Sequence, residues 1–153
     1  MKSQKANNHN TVPLAANLLK NLLDQAKKAQ KKSHSPYSGY KIGASVLTSD
    51  GNIFSGANVE NSSYGATVCA ERVAIWSAVT DIDSKLKKEF IDVVCVVSSS
   101  KEAWPPCGLC RQVIGEFAHK NTIIITQGLE GPAKSYRFSE LFPESFGAKF
   151  LKG

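Results

Sequence analysis

From Pro13 to about Gln30 the apolar residues fall on one stripe: Leu14, Leu18 and Leu22, with Ala15, Leu19, Leu23 and Ala26 beside them. That is helical spacing, and Pro13 suits a first turn. The loop HSPYSG (34–39) follows, with proline, glycine and two serines in six residues. Residues 40–47 and 53–57 then read as two strands, and Ser49-Asp50-Gly51-Asn52 between them is the chemistry of a hairpin turn. NVENSSYGAT (58–67) is a polar loop whose last residue, Thr67, is the expected N-cap of a helix over about 68–80. That helix is apolar nearly all round, which predicts burial.

A charged connection, Asp81 to Glu89, leads into IDVVCVV (91–97), a continuous apolar run as in a strand covered on both faces. KEAWPP is a loop. A third helix is expected from Cys107 to about His119, then a covered strand TIIIT (122–126). Residues 127–134 are turn-like, 135–138 form a short strand, and FSELFPESFG holds a helical turn stopped by Pro143. Strands alternating with helices predict an α/β fold, with a mixed sheet and helices on both faces. Residues 1–11 read as a loose tail and 12–153 as one domain.

Composition changes this picture little. The chain has 153 residues and 42 % hydrophobic residues, enough for one domain with a real core. No run reaches the roughly 18 apolar residues of a membrane span. The opening MKSQKANNHN has no apolar core and reads as no secretory leader, so a cytoplasmic location is expected. The net charge of +6 raises nucleic acid as a partner. However, Lys20, Lys27, Lys28, Lys31 and Lys32 cluster on or after the first helix, where cations suit its dipole. No aromatic residues interleave with them, so a solvated helix face is the reading preferred over a nucleic-acid platform.

The chemistry concentrates in TVCAERVAIWSAV (67–79) and PPCGLCRQ (105–112). Cys107 and Cys110 bracket two residues, a spacing that lets two sulfurs meet one ion, and Cys69 would come from another helix. Three thiolates around zinc leave a fourth position for water, as catalytic sites do. Both segments place thiols at the start of a helix, where the dipole favours the thiolate. Glu71, two residues from Cys69, could lean toward the open position and handle protons. Three thiolates and Zn²⁺ sum to −1, so something must draw charge off the sulfurs if bound water is to ionise near neutral pH. Arg72 is the expected donor, with Gln112 as a hydrogen-bond partner behind the ligands. A closed four-cysteine site with Cys95, or a redox pair at Cys107 and Cys110, are the bland alternatives. Yet Cys95 lies mid-strand, where a buried cysteine is ordinary, and a redox pair leaves Cys69 and Glu71 unexplained. His9, His34 and His119 are isolated and read as surface groups.

Cys69-Ala70-Glu71 followed by Pro106-Cys107-Gly108-Leu109-Cys110 is the ligand-x-Glu, Pro-Cys-x-x-Cys pattern of zinc deaminases. Cysteine in the first position resembles the free-nucleoside cytidine deaminases. NVEN, SSYG, CAER, PCGLCRQV, the hairpin YKIGASVLTSDGNIFSGANVEN and ELFPESFG all resemble segments of that family, from about Pro36 to Gly147. The resemblance implies a three-layer cytidine deaminase-like fold and one zinc per subunit on Cys69, Cys107 and Cys110. It implies Glu71 as proton shuttle and Asn58 and Glu60 on the ribose hydroxyls. It also implies Tyr40, where the family usually has phenylalanine, against the base. The Ala70 N–H and the Pro106 carbonyl would read the pyrimidine edge. Small-subunit members are homotetramers with shared active sites, and Tyr64 and Phe146 resemble residues lent to a neighbour. Phe146 as core and Tyr64 as a loop cap are the alternatives.

The implied reaction is hydrolytic removal of ammonia from C4 of cytidine and deoxycytidine, giving uridine and deoxyuridine, as in pyrimidine salvage. The rivals are a deaminase of a cytosine-nucleoside antibiotic of the blasticidin S type, nucleic-acid editing, a basic RNA-binding protein, and a non-catalytic zinc-binding domain. The NVEN segment favours a nucleoside, and Glu71 has no purpose in a structural zinc site.

Overall fold

The computed structural model describes residues 14–81 and 88–151. The expected tail, Pro13 and most of the charged connection after Asp81 lie outside the described residues. The elements are α1 (Ala16–Gln30), β1 (Ile42–Thr48), β2 (Ile53–Ala57), α2 (Ala70–Asp81), β3 (Ile91–Ser98), α3 (Gly108–Phe117), β4 (Ala118–Gln127), β5 (Lys134–Arg137) and α4 (Phe138–Leu141). The five strands form one sheet in the order β2-β1-β3-β4-β5. β1 pairs antiparallel with β2 and β3, β3 runs parallel to β4, and β4 pairs antiparallel with β5. The sheet is therefore mixed, as its hydrophobic pattern predicts.

The β1–β2 turn forms as expected: Thr48 N–H donates to the Asn52 carbonyl (2.9 Å), and Gly51 takes a φ of +87° that favours glycine. β3 explains its own composition. Val93, Cys95 and Val97 pack with Leu22 and Ala26 of α1 on one face. Val94 and Val96 pack with Ala74, Ile75, Ala78 and Ile114 of α2 and α3 on the other. A strand with two buried faces needs a continuous apolar run rather than alternation. Cys95 is fully buried core, and burial pushes its thiol up to about 12. Among the described residues no helix is long and apolar enough to cross a membrane.

Three details differ from the sequence expectations. α2 begins at Ala70, not 68, and Thr67 does not cap it. Val68 instead exchanges both backbone hydrogen bonds with Val59 (2.9 Å each), holding the chain extended through Thr67. The Thr67 hydroxyl accepts from Asn61 N–H across the loop. α2 is not buried all round: Ala70, Glu71, Ala74, Ile75 and Ala78 face the sheet, while Trp76 stays 45 % exposed with the Arg72 guanidinium over its ring (5.8 Å). β4 starts at Ala118, directly after α3 ends at Phe117, because Ala118 pairs with Ile91 and Thr122 Oγ1 donates to the Ile91 carbonyl (2.6 Å).

Candidate active site

Two helix starts meet over one end of the sheet. Cys69 stands just before α2, and its carbonyl accepts the Val73 N–H (3.2 Å). Cys107 is the N-cap of α3, and its carbonyl accepts from Arg111 N–H (2.9 Å), with Cys110 in that helix's first turn. The three Sγ atoms lie within 4.8 Å of one another, with Cys69 to Cys107 at 4.0 Å. A disulfide needs about 2 Å. Three sulfurs sharing a tetrahedral zinc at about 2.3 Å would sit roughly 3.8 Å apart. The donor set and its spacing fit zinc, and two helix N-termini add the partial positive charge that thiolates favour.

The electrostatics agree. Hydrogen bonding from the Cys110 thiol, then the Arg72 guanidinium, brings the Cys69 thiol down to about 5. Cys110, holding the shared proton beside that thiolate, is shifted upward. Arg72 Nη2 donates to the Thr67 carbonyl (2.9 Å) and approaches Cys69 Sγ (3.8 Å), so it stands where its charge can offset the sulfur. Glu71 points inward from α2 and is 4 % exposed. Burial pushes its carboxyl up to about 7; its own backbone N–H opposes the shift and the Cys69 charge adds to it. A carboxyl poised near neutrality beside a metal site suits proton transfer in both directions.

These groups open on a cavity of about 420 Å³. Cys69, Cys107 and Glu71 line it together with Asn58, Glu60 and Tyr40. Val59–Val68 pairing closes the base of the 58–68 loop, setting Asn58 and Glu60 near Cys69. Asn58 is nearly spoken for: Oδ1 accepts from Ser33 Oγ (2.5 Å) and Ile42 N–H (2.9 Å), and Nδ2 donates to the Tyr40 carbonyl (3.0 Å). One N–H of its amide is left for a ligand. Glu60 Oε2 accepts from the N–H groups of Tyr37 (2.8 Å) and Ser38 (3.1 Å), and Oε1 from the Ser38 hydroxyl.

The other expected residues divide. Ala70 is buried at the start of α2. Pro105 rather than Pro106 lines the cavity, and the Pro106 carbonyl already accepts from Arg111 Nε (2.8 Å). Gln112 makes no hydrogen bond to the cysteines; its amide donates to the Phe146 carbonyl (3.0 Å) and ties down the C-terminal segment. The Phe146 ring is 55 % exposed and stacks on Phe150, so it is not core. Tyr64, 77 % exposed, meets Tyr37 edge-on and lines a second cavity of about 330 Å³ beside Glu60. Neither Phe146 nor Tyr64 lines the main cavity of its own chain. His34 and His119 stand apart from the thiols, and His119 pairs with Asp92 (2.9 Å); His9 lies outside the described residues.

Two residues escaped the sequence reading. Trp104 lines the cavity with its ring 4.6 Å from Tyr40. Its place three residues before Cys107, in a segment read as plain loop, was the available signal. Arg111 links the Pro106 carbonyl to that of Leu141 (2.7 Å), which no local pattern reveals.

Comparison with known proteins agrees with this geometry. The family described as "Cytidine and deoxycytidylate deaminase zinc-binding region" matches residues 16–126. A cytidine deaminase of Halalkalibacterium halodurans is 37 % identical over 128 residues, covering 84 % of this chain and 93 % of its own. A cytidine deaminase structure from Burkholderia pseudomallei superposes with a TM-score of 0.77 at 33 % identity, covering 87 % of this chain and 100 % of that one. A blasticidin-S deaminase of Bacillus cereus is a weaker relative, 32 % identical over 111 residues, covering 68 % of this chain and 75 % of its own. With three thiols set for zinc beside a buried glutamate, and these matches spanning most of its length, the chain belongs to the cytidine and deoxycytidylate deaminase family.

Proposed function

We propose that this protein is a zinc-dependent hydrolase that deaminates cytidine and deoxycytidine. Water and the nucleoside give uridine or deoxyuridine plus ammonia. The observation that carries the reading is one cavity lined by the buried Glu71 carboxyl, by Cys69 and Cys107 of a three-thiol cluster, and by the sugar-type polar groups of Asn58 and Glu60. Cys69, Cys107 and Cys110 would hold the zinc, which when bound lowers the pKa of a water molecule. Glu71 accepts one proton of that water and passes it to N3 of the ring as the water oxygen bonds to C4. It then takes the second proton from the new C4 hydroxyl and delivers it to the amine as the C4–N bond breaks. One carboxyl serves as base and then as acid, and a value near neutrality supports both roles. Arg72 offsets the sulfur charge.

Tyr40 and Trp104 flank the base, and the Ala70 N–H reads its edge. The Pro106 carbonyl keeps one lone pair for the same purpose, the other being taken by Arg111. Asn58 and Glu60 receive the sugar hydroxyls. A site built for hydroxyls rejects analogues lacking them, because its buried polar groups are then unpaired. The protein acts as a cytoplasmic homotetramer in pyrimidine salvage, with Tyr64 and Phe146 lent to neighbouring sites. Their exposure in the single chain supports that role.

The test is a substrate panel with zinc-loaded protein: cytidine, deoxycytidine, blasticidin S and a cytosine-containing oligonucleotide, each followed by ultraviolet absorbance and ammonia release. The reading expects turnover of both nucleosides and at most slow reaction of the other two. Inert nucleosides with turnover of blasticidin S or the oligonucleotide would overturn it.

A further inference from the structure

We infer that Ser38 is a positioning residue for the sugar end of this site: its hydroxyl, held between the Tyr40 backbone and the Glu60 carboxylate, aims Glu60 into the main cavity. The inference rests on the nucleoside reading above and deepens it.

Donor counting comes first. An ionised carboxylate has about four lone-pair positions. Three of those of Glu60 are filled by Tyr37 N–H, Ser38 N–H and the Ser38 hydroxyl. A single position, on Oε1, is left for a sugar hydroxyl. Which way it faces depends on the Ser38 hydroxyl bound to the same oxygen. That hydroxyl cannot turn freely, since Ser38 Oγ accepts the Tyr40 N–H (3.1 Å) and so spends its one proton on Glu60. Its backbone is fixed as well. Gly39 takes a φ of +74° and donates to the Ser35 carbonyl (3.0 Å), closing the turn that presents Ser38. The His34 backbone N–H donates to the Asn58 carbonyl (3.0 Å) and its carbonyl accepts from Glu60 N–H (2.8 Å), clamping this turn to the segment that carries Glu60.

The cavities show what the hold prevents. Ser38, Glu60 and Thr67 line both the main cavity and the second one of about 330 Å³ beside Tyr37 and Tyr64. Without the Ser38 hydroxyl, Glu60 keeps only its two backbone donors on Oε2, and Oε1 is free to turn toward the second chamber. The Ser38 hydrogen bond is also the largest reason that the Glu60 carboxyl sits below its ordinary range, which keeps it an acceptor.

The experiment compares wild type, Ser38→Ala and Ser38→Thr as zinc-loaded full chains. It reads kcat and KM for cytidine, and the inhibition constant of 2′,3′-dideoxycytidine, which has neither hydroxyl. Loss of one charge-assisted hydrogen bond predicts that Ser38→Ala raises the cytidine KM about 5- to 20-fold, with kcat held within about two-fold. The dideoxycytidine constant should move by less than about two-fold, Ser38→Thr should restore the cytidine KM, and the three melting temperatures should agree. Equal weakening of both ligands, a fall in kcat alone, or no change in KM would overturn the inference while leaving the nucleoside reading intact. A wild type inert toward cytidine would overturn the nucleoside reading, and the inference with it.

Discussion

Gly56 ties the sheet to the metal site, and filling it should damage the site more than the fold. A Cβ built at this β2 glycine would lie 2.6 Å from the Ala74 nitrogen and 2.8 Å from the Ala70 carbonyl oxygen, with the Val73 Cβ also at 2.8 Å. Two of these are backbone atoms of α2, which cannot swing aside. Ordinary contact begins at 3.4 Å, so Gly56→Ala must push α2 from β2 by about 0.8 Å. Overpacking of this kind costs about 1–3 kcal/mol, or roughly 3–10 °C in Tm for a chain of this length. The first turn of α2, which must retreat, follows Cys69 and carries Glu71. Zinc–ligand distances tolerate about 0.2 Å, and misplacing a catalytic group by about 1 Å can cost on the order of 100-fold in rate. Gly56→Ala should therefore remain folded at 25 °C yet bind zinc more weakly and lose about 10- to 100-fold in kcat/KM. Gly115→Ala on α3 is the matched control, since its Cβ would meet the Phe138 ring edge at 3.4 Å. It should keep both Tm and zinc. Calorimetry with metal analysis reads both variants, and a Gly56→Ala protein with unchanged Tm and zinc content would refute the close approach.

Cys95 should be a silent thiol: after chelation a thiol reagent should titrate Cys69 and Cys107 in the native protein, the two buried cysteines, Cys95 and Cys110, reacting only in denaturant. The raised value of Cys95 also predicts alkaline sensitivity. The unfolded thiol ionises near its ordinary 9.0 and the folded one near 12, so the stabilisation is complete below pH 9 and is lost between them. Urea midpoints at pH 8 and pH 10.5 check this, with Cys95→Ala predicted to flatten the difference. Arg72→Ala removes the cation beside Cys69 and should cost about 10- to 100-fold in activity or metal affinity. Unchanged values in both would refute its role. Leu22→Ala hollows the α1 face of the core, across the sheet from α2 and α3, and should cost about 2–5 kcal/mol by urea unfolding while activity per folded molecule is kept.

The three-thiol cluster and the buried carboxyl beside it were legible because each pair is local: Cys69-x-Glu71 and Cys107-x-x-Cys110 come together wherever two helix starts meet. β3 and the hairpin were legible because burial on two faces and turn chemistry leave composition marks. The α2 start was not, because Val68 prefers a partner in Val59 over a helical turn, a pairing settled across the loop. The outward face carrying Trp76 was misread because periodicity reports apolar character and not what covers it. Ser38, Trp104 and Arg111 act on groups distant in sequence (the Glu60 carboxylate, the Tyr40 ring and the Leu141 carbonyl), so no spacing rule points to them.

The most direct test of the account pairs wild type with Glu71→Ala, both carrying one zinc per chain by metal analysis, and follows loss of the cytidine absorbance band. The account predicts conversion to uridine by wild type and a rate at least about 10²- to 10⁴-fold lower in the variant, with the metal still in place. A zinc-loaded Glu71→Ala protein that deaminates cytidine within a few-fold of wild type would contradict it.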